Sequence, residues 1–206
     1  MTEYAIGIED HYAWANLVSV TISGSAELLL DRRRVELLDA TLPASPYHRD
    51  TLRMPMADAE QLVRHVRASA SAHAKAALAS LLGNLAPATC QVVAIRVPPL
   101  PQLPVSVAEA HADTAVTNRA DGMIYHQALT DAAAQLGLRV VHFDKSTVIG
   151  LAAEARRITP GELERRLKAL GVAHGPPWQK GHITAAAGAI LAHLSVTRSA
   201  TANTPA

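Results

Sequence analysis

Two short segments, residues 91–97 (QVVAIRV) and 138–143 (LRVVHF), constrain this chain more than any other feature. Each is a nearly unbroken run of β-branched and apolar residues, the pattern of a strand covered on both faces. A long helical stretch separates them, so they are joined by a crossover and lie parallel. A sheet containing such a pair must carry helices on its faces, which makes the chain an α/β protein.

The first forty residues add a different kind of strand. Residues 4–8, 13–22 and 27–39 are β-rich runs linked by tight turns, Gly24-Ser25 among them, and read as an antiparallel meander. The third run carries Asp31-Arg32-Arg33-Arg34. Neighbours on a strand point to opposite faces, so Arg32 and Arg34 form the pair that can act together. Residues 41–56, with three prolines and Tyr47-His48-Arg49-Asp50, read as a long loop. Asp58 is the expected cap of a helix running to Leu82, before Gly83-Asn84. The segment 98–104 (PPLPQLP) ends the fourth strand. Ser106 with Glu109 then has the spacing of a capping box, opening one helix expected to reach Leu136 with Gly122 as its weak point. After the fifth strand, Asp144-Lys145-Ser146 leads into a helix over 147–156, Thr159-Pro160 opens another, and a last one is expected over 178–194. The order is β-β-β-α-β-α-β-α-α-α, a single domain over 1–194. The small polar residues 195–206 are expected to form a disordered tail.

Composition fills in the core and narrows the setting. Hydrophobic residues make up 49% and charged residues 18%, enough apolar surface to fold. With one Phe, two Trp and four Tyr, the core must be mostly aliphatic and alanine-rich, which favours helices packed closely on the sheet. The net charge of +1 makes any nucleic-acid footprint a matter of local clustering. Cys90 is the sole cysteine, so an intrachain disulfide and a cysteine-rich zinc site are both ruled out. Together with an opening MTEYAIGIED that lacks a basic-then-apolar signal pattern, it leads us to expect a soluble cytoplasmic protein. Phosphate-loop, dinucleotide, HExxH and GxSxG motifs do not occur.

The element order is that of the ribonuclease H-like fold, with a mixed five-stranded sheet flanked by helices. Within it the chain resembles the RuvC-type Holliday-junction resolvases along nearly its whole length. The segment Ala5-Ile6-Gly7-Ile8-Glu9 resembles the family's first strand, which delivers a carboxylate to the site. Residues 92–97 resemble the strand that brings a second acid. Pro177-Trp178-Gln179-Lys180-Gly181-His182, leading into Ala185-Ala186-Ala187-Gly188-Ala189, resembles the closing helix with its further metal ligands. The resemblance implies phosphodiester hydrolysis with Mg²⁺ or Mn²⁺, in which three or four carboxylates or imidazoles hold two ions about 3.5–4 Å apart. It makes Glu9, Asp10 and His182 the catalytic candidates, with Glu9 and His182 as metal ligands. It also implies nucleic acid, branched DNA in particular, as partner and a homodimer as the assembly. Arg96, Arg119, Lys145 and Lys180 are the candidate nucleic-acid contacts.

Two positions depart from the family pattern. Arg96 stands where the fourth strand should end in an acid, and Ala185 where the closing helix should carry an aspartate. Glu109 or Asp113 could replace the missing ligands. Otherwise the same fold would serve as a non-catalytic binding or assembly module, marked by an ion pair between Arg96 and Glu9. A small-molecule enzyme with a deep apolar pocket is the third reading.

Overall fold

A computed structural model describes residues 2–202, of which 197–202 are described as backbone alone. Strands β1 (Glu3–Asp10), β2 (Trp14–Ser23), β3 (Ala26–Glu36), β4 (Thr89–Arg96) and β5 (Arg139–Phe143) form one sheet in the order β3-β2-β1-β4-β5. The first three pair antiparallel, and β4 joins β1 and then β5 in parallel, giving the mixed sheet of the ribonuclease H-like fold. The helices are α1 (Met56–Asn84), α2 (Val107–His111), α3 (Thr114–Gln135), α4 (Val148–Arg156), α5 (Pro160–His174) and α6 (Lys180–Ala202).

Alternation along β1 divides the core in two. Ile6 and Ile8 face α1 and α3, packing with Val66, Leu78, Ile124 and Leu129. Ala5 faces the other way, into a cluster built by α4, α5 and α6. On that second face α6 lies against bare backbone: a Cβ on Gly7 would fall 1.7 Å from the carbonyl oxygen of Ala185. The alanine stripe is what permits this approach, since Ala185, Ala186, Ala187 and Ala189 are all fully buried. Farther along α6, Gly188 makes room in the same way for the Phe143 ring.

Charge holds the α4–α5 pair to the far edge of the sheet. Glu27 on β3 accepts from Arg156 Nε at 2.7 Å and lies 3.5 Å from Arg166 Nη1. Arg32 donates to the carbonyls of Gly175 (2.8 Å) and Pro177 (2.7 Å), fixing the loop that leads into α6.

Several boundaries differ from those read in the sequence. Helix α1 begins at Met56 behind Pro55, with no side-chain cap, and Asp58 sits in its first turn, where the helix dipole favours an acid. The segment after the proline run is two helices. Ser106 does accept from the Glu109 N–H (3.0 Å), but Asp113 caps a fresh start by accepting from the Ala115 N–H (2.7 Å). Gly122 lies inside α3 without breaking it and lets the Tyr12 ring come close, within 3.0 Å of where a Cβ would stand. Helix α6 continues to Ala202, through most of the segment expected as a tail; residues 203–206 lie outside the described residues.

The long loop is also more ordered than its prolines suggested. A π-helical turn at Pro46–Asp50 and a 3-10 turn at Thr51–Arg53 are tied to α3. Asp121 accepts from the Tyr47 (2.9 Å) and His48 (3.1 Å) N–H groups, and the Tyr125 hydroxyl donates to Ala44 O (2.8 Å).

Two measurements check this packing. Gly7→Ala should destabilise the protein by about 3 kcal/mol or more in urea, because the added methyl meets helix backbone rather than a side chain that can turn aside. Burial pushes the Asp121 carboxyl up to about 6, against the two N–H groups that pull it down. Folding therefore favours its protonated form, and stability attributable to it should decline as pH rises from about 4 to about 6. A carboxyl-carbon NMR titration should place its midpoint near the upper end of that range.

Candidate nucleic-acid interface at the carboxyl ends of the strands

Because β1, β4 and β5 run parallel, their last residues share one edge of the sheet: Glu9 and Asp10, Arg96, and Phe143 followed by Asp144-Lys145-Ser146. The start of α6 comes down on that edge. Ala185 rests on Gly7, so Gly181, four residues earlier on the helix, lies over Glu9, two residues later on the strand. The fit is tight enough that a Cβ on Gly181 would collide with the Glu9 carboxylate.

Glu9, Lys145, Ser146, Lys180, Gly181 and Thr184 line a recess of about 300 Å³. Glu9 Oε2 is buried there with no hydrogen-bond partner among the described residues, and His11 Nε2 stands 3.8 Å away. The two hydroxyls are already committed. Ser146 Oγ donates to Asp144 Oδ1 (2.5 Å), and Thr184 Oγ1 donates to Gly181 O (3.0 Å). The recess thus presents two ammonium groups against one carboxylate.

Asp10 points to the opposite face. It is 1% exposed and accepts from Arg96 Nε (2.5 Å) and Nη2 (3.3 Å), in nearly the forked geometry that strengthens guanidinium–carboxylate pairs. His126 Nδ1 lies 3.6 Å from the same carboxylate, and its ring stacks on His142 at 5.6 Å. Burial alone would raise the Asp10 carboxyl, but His126 and Arg96 outweigh it and hold the group below the ordinary value. Arg96 thus pairs with Asp10 on this face and not with Glu9, the partner expected of a non-catalytic module.

The sequence-derived candidates fall into four places. Glu9, Lys145 and Lys180 meet in the recess. Asp10 and Arg96 form the buried pair beside it. Arg119 is exposed on α3 next to Asn118, whose carbonyl accepts from the Tyr12 hydroxyl (3.2 Å) at the same edge. His182 turns away from the recess toward Trp178, with ring centroids 5.5 Å apart. Burial and the positive charge of Arg32 lower its pKa, and Glu9 partly offsets them, so the ring is neutral at pH 7. Its Nδ1 accepts from the Gln179 N–H at 3.1 Å, which places the remaining proton on Nε2. In this arrangement the Nδ1 lone pair is taken up by the Gln179 N–H. Sequence reading missed Gly181 and Thr184 as the residues facing Glu9, choosing His182 and Ala185 one position along. The signal was the Gly7–Ala185 contact, which sets the rotation of α6. His126 was missed because it lies mid-helix with no motif around it.

A divalent ion does not suit this donor set. Glu9 is the one carboxylate lining the recess, Lys145 and Lys180 oppose a cation, and Arg96 occupies the end of β4. Among the described residues no group of three His, Cys, Asp or Glu side chains is placed to hold a metal.

The Arg96–Asp10 pair has a direct test. Arg96→Ala strands a buried carboxylate and should cost about 3 kcal/mol. Asp10→Asn should cost less, because the Arg96 side chain is 27% exposed and can turn to water. A carboxyl held low stabilises the fold above its unfolded pKa and loses that contribution as pH falls through the folded value. Urea denaturation below about pH 4 should accordingly weaken the wild type more steeply than Asp10→Asn.

No family model and no curated protein matches the sequence. Solved structures do. The structure of Thermus thermophilus RuvC superposes with a TM-score of 0.52 at 15% identity, covering 95% of this chain and 96% of that one. T. thermophilus RuvC in complex with a Holliday junction substrate gives 0.55 at 14% identity, covering 96% of each. At such low identity the likeness is one of fold, and it extends over almost the whole of both chains. The chain has the RuvC-type ribonuclease H-like fold.

Proposed function

We propose that this protein binds nucleic acid at the carboxyl edge of its sheet and does not hydrolyse it by divalent-metal chemistry. The observation that carries this reading is Arg96. It ends the strand where the resemblance calls for a second acid, and it is locked onto Asp10. Lys145 and Lys180 put cationic groups around Glu9, where a phosphate could be neutralised, and Arg119 is an exposed cation on α3, beside the Asn118 carbonyl that binds Tyr12. Branched DNA is the favoured ligand, since one structural neighbour is RuvC held on a Holliday junction. A homodimer would present two such edges to the two symmetric strands of a four-way junction. Among the described residues no helix is long and apolar enough to cross a membrane.

Fluorescence anisotropy on a four-way junction, an RNA–DNA hybrid and a single strand tests this reading, in EDTA and again in Mg²⁺ or Mn²⁺. Binding should be insensitive to the metal and weaken with salt, and every substrate should remain intact. Replacing Lys145 and Lys180 by Ala should weaken binding about tenfold on all substrates and flatten the salt dependence by about one unit per lysine. Metal-dependent cleavage that disappears in Glu9→Gln would overturn the proposal.

A further inference from the structure

The turn between β1 and β2 carries a stack of side chains that neither the fold nor the phosphate recess needs. The His11 N–H donates to Trp14 O (2.9 Å), and Ala13 is held in the left-handed region at φ 64°, costly for a residue with a Cβ. This strained turn sends its two ring-bearing residues in different directions. Tyr12 goes to α3, against Gly122 and Asn118. His11 folds back onto Trp14, with ring centroids 3.8 Å apart and planes within 10°. The Arg34 guanidinium lies 3.9 Å from the centroid of the same Trp14 ring. Two groups so close to one indole must occupy its opposite faces, so the order is Arg34, Trp14, His11. The outer layer remains open: the His11 side chain is 37% exposed. That layer also adjoins the phosphate recess, because His11 Nε2 is 3.8 Å from Glu9 Oε2.

We infer that the open face of His11 is a stacking site for an unpaired nucleobase whose phosphate lies in the Lys145–Lys180 recess. Every base has a π-face, and a planar stack polarised by a guanidinium at its far end suits one more aromatic layer. A duplex offers no such base without unstacking, so the site discriminates unpaired from paired strands. The inference rests on the nucleic-acid reading above.

The test uses the full chain with a single-stranded oligonucleotide carrying 2-aminopurine and the corresponding duplex. His11→Ala should weaken single-strand binding about tenfold, leave duplex binding unchanged and abolish 2-aminopurine quenching in the complex. His11→Phe, which keeps a flat ring without a charge, should restore both affinity and quenching. Unchanged single-strand binding in His11→Ala, an equal loss on duplex, or a His11→Phe protein as weak as His11→Ala would each overturn the stacking site and leave nucleic-acid binding standing. A wild-type chain that bound neither strand nor duplex would overturn the proposed function and this inference together.

Discussion

The contact of Ala185 with the bare backbone of Gly7 fixes the rest of this structure. At that distance α6 cannot roll on the sheet without a collision, and rising from it would leave a void. Its rotation is therefore set, and with it the residues that look down on the end of β1. Gly181 falls over Glu9, Thr184 borders the recess, and His182 is carried round to Trp178. The same closeness explains why the helix is so rich in alanine: larger side chains on that face would force the layers apart.

Positive charge then decides what the edge can do. A hydrolytic centre of the two-metal type gathers carboxylates from strand ends and a closing helix. Here the strand ends supply one free acid and one acid already neutralised by a guanidinium, and the helix supplies a glycine, a threonine and a lysine. Lys145 follows the fifth strand and completes the inversion. Such a lining suits an anionic ligand better than a pair of divalent cations.

Much of this was legible in the sequence because it depends on local pattern. The apolar runs at 91–97 and 138–143 and the meander before them fixed the sheet, and Ser106 with Glu109 marked a true helix start. Glu9 stood out because a carboxylate at the end of a buried strand is costly unless something uses it. What was hidden depends on tertiary contact. The rotation of α6 follows from a backbone touching a backbone, and a one-residue error in register exchanged Gly181 for His182. The break between α2 and α3 was masked by the continuous helical propensity of both. Asp10 found its partners across the sheet, in Arg96 and in a histidine on α3, at sequence separations that no motif records.

The arrangement around Asp10 makes Arg96 an unusual cation at the carboxyl edge of the sheet. A passing phosphate that drew the guanidinium toward itself would leave an acid in the interior with only an imidazole for company. Arg96 therefore lends its field to the surface while remaining attached to the protein. For the same reason, restoring an acid at the end of β4 by mutation would do more than supply a ligand: it would face one carboxylate with another and unfasten the end of the sheet on which any new active centre would have to stand.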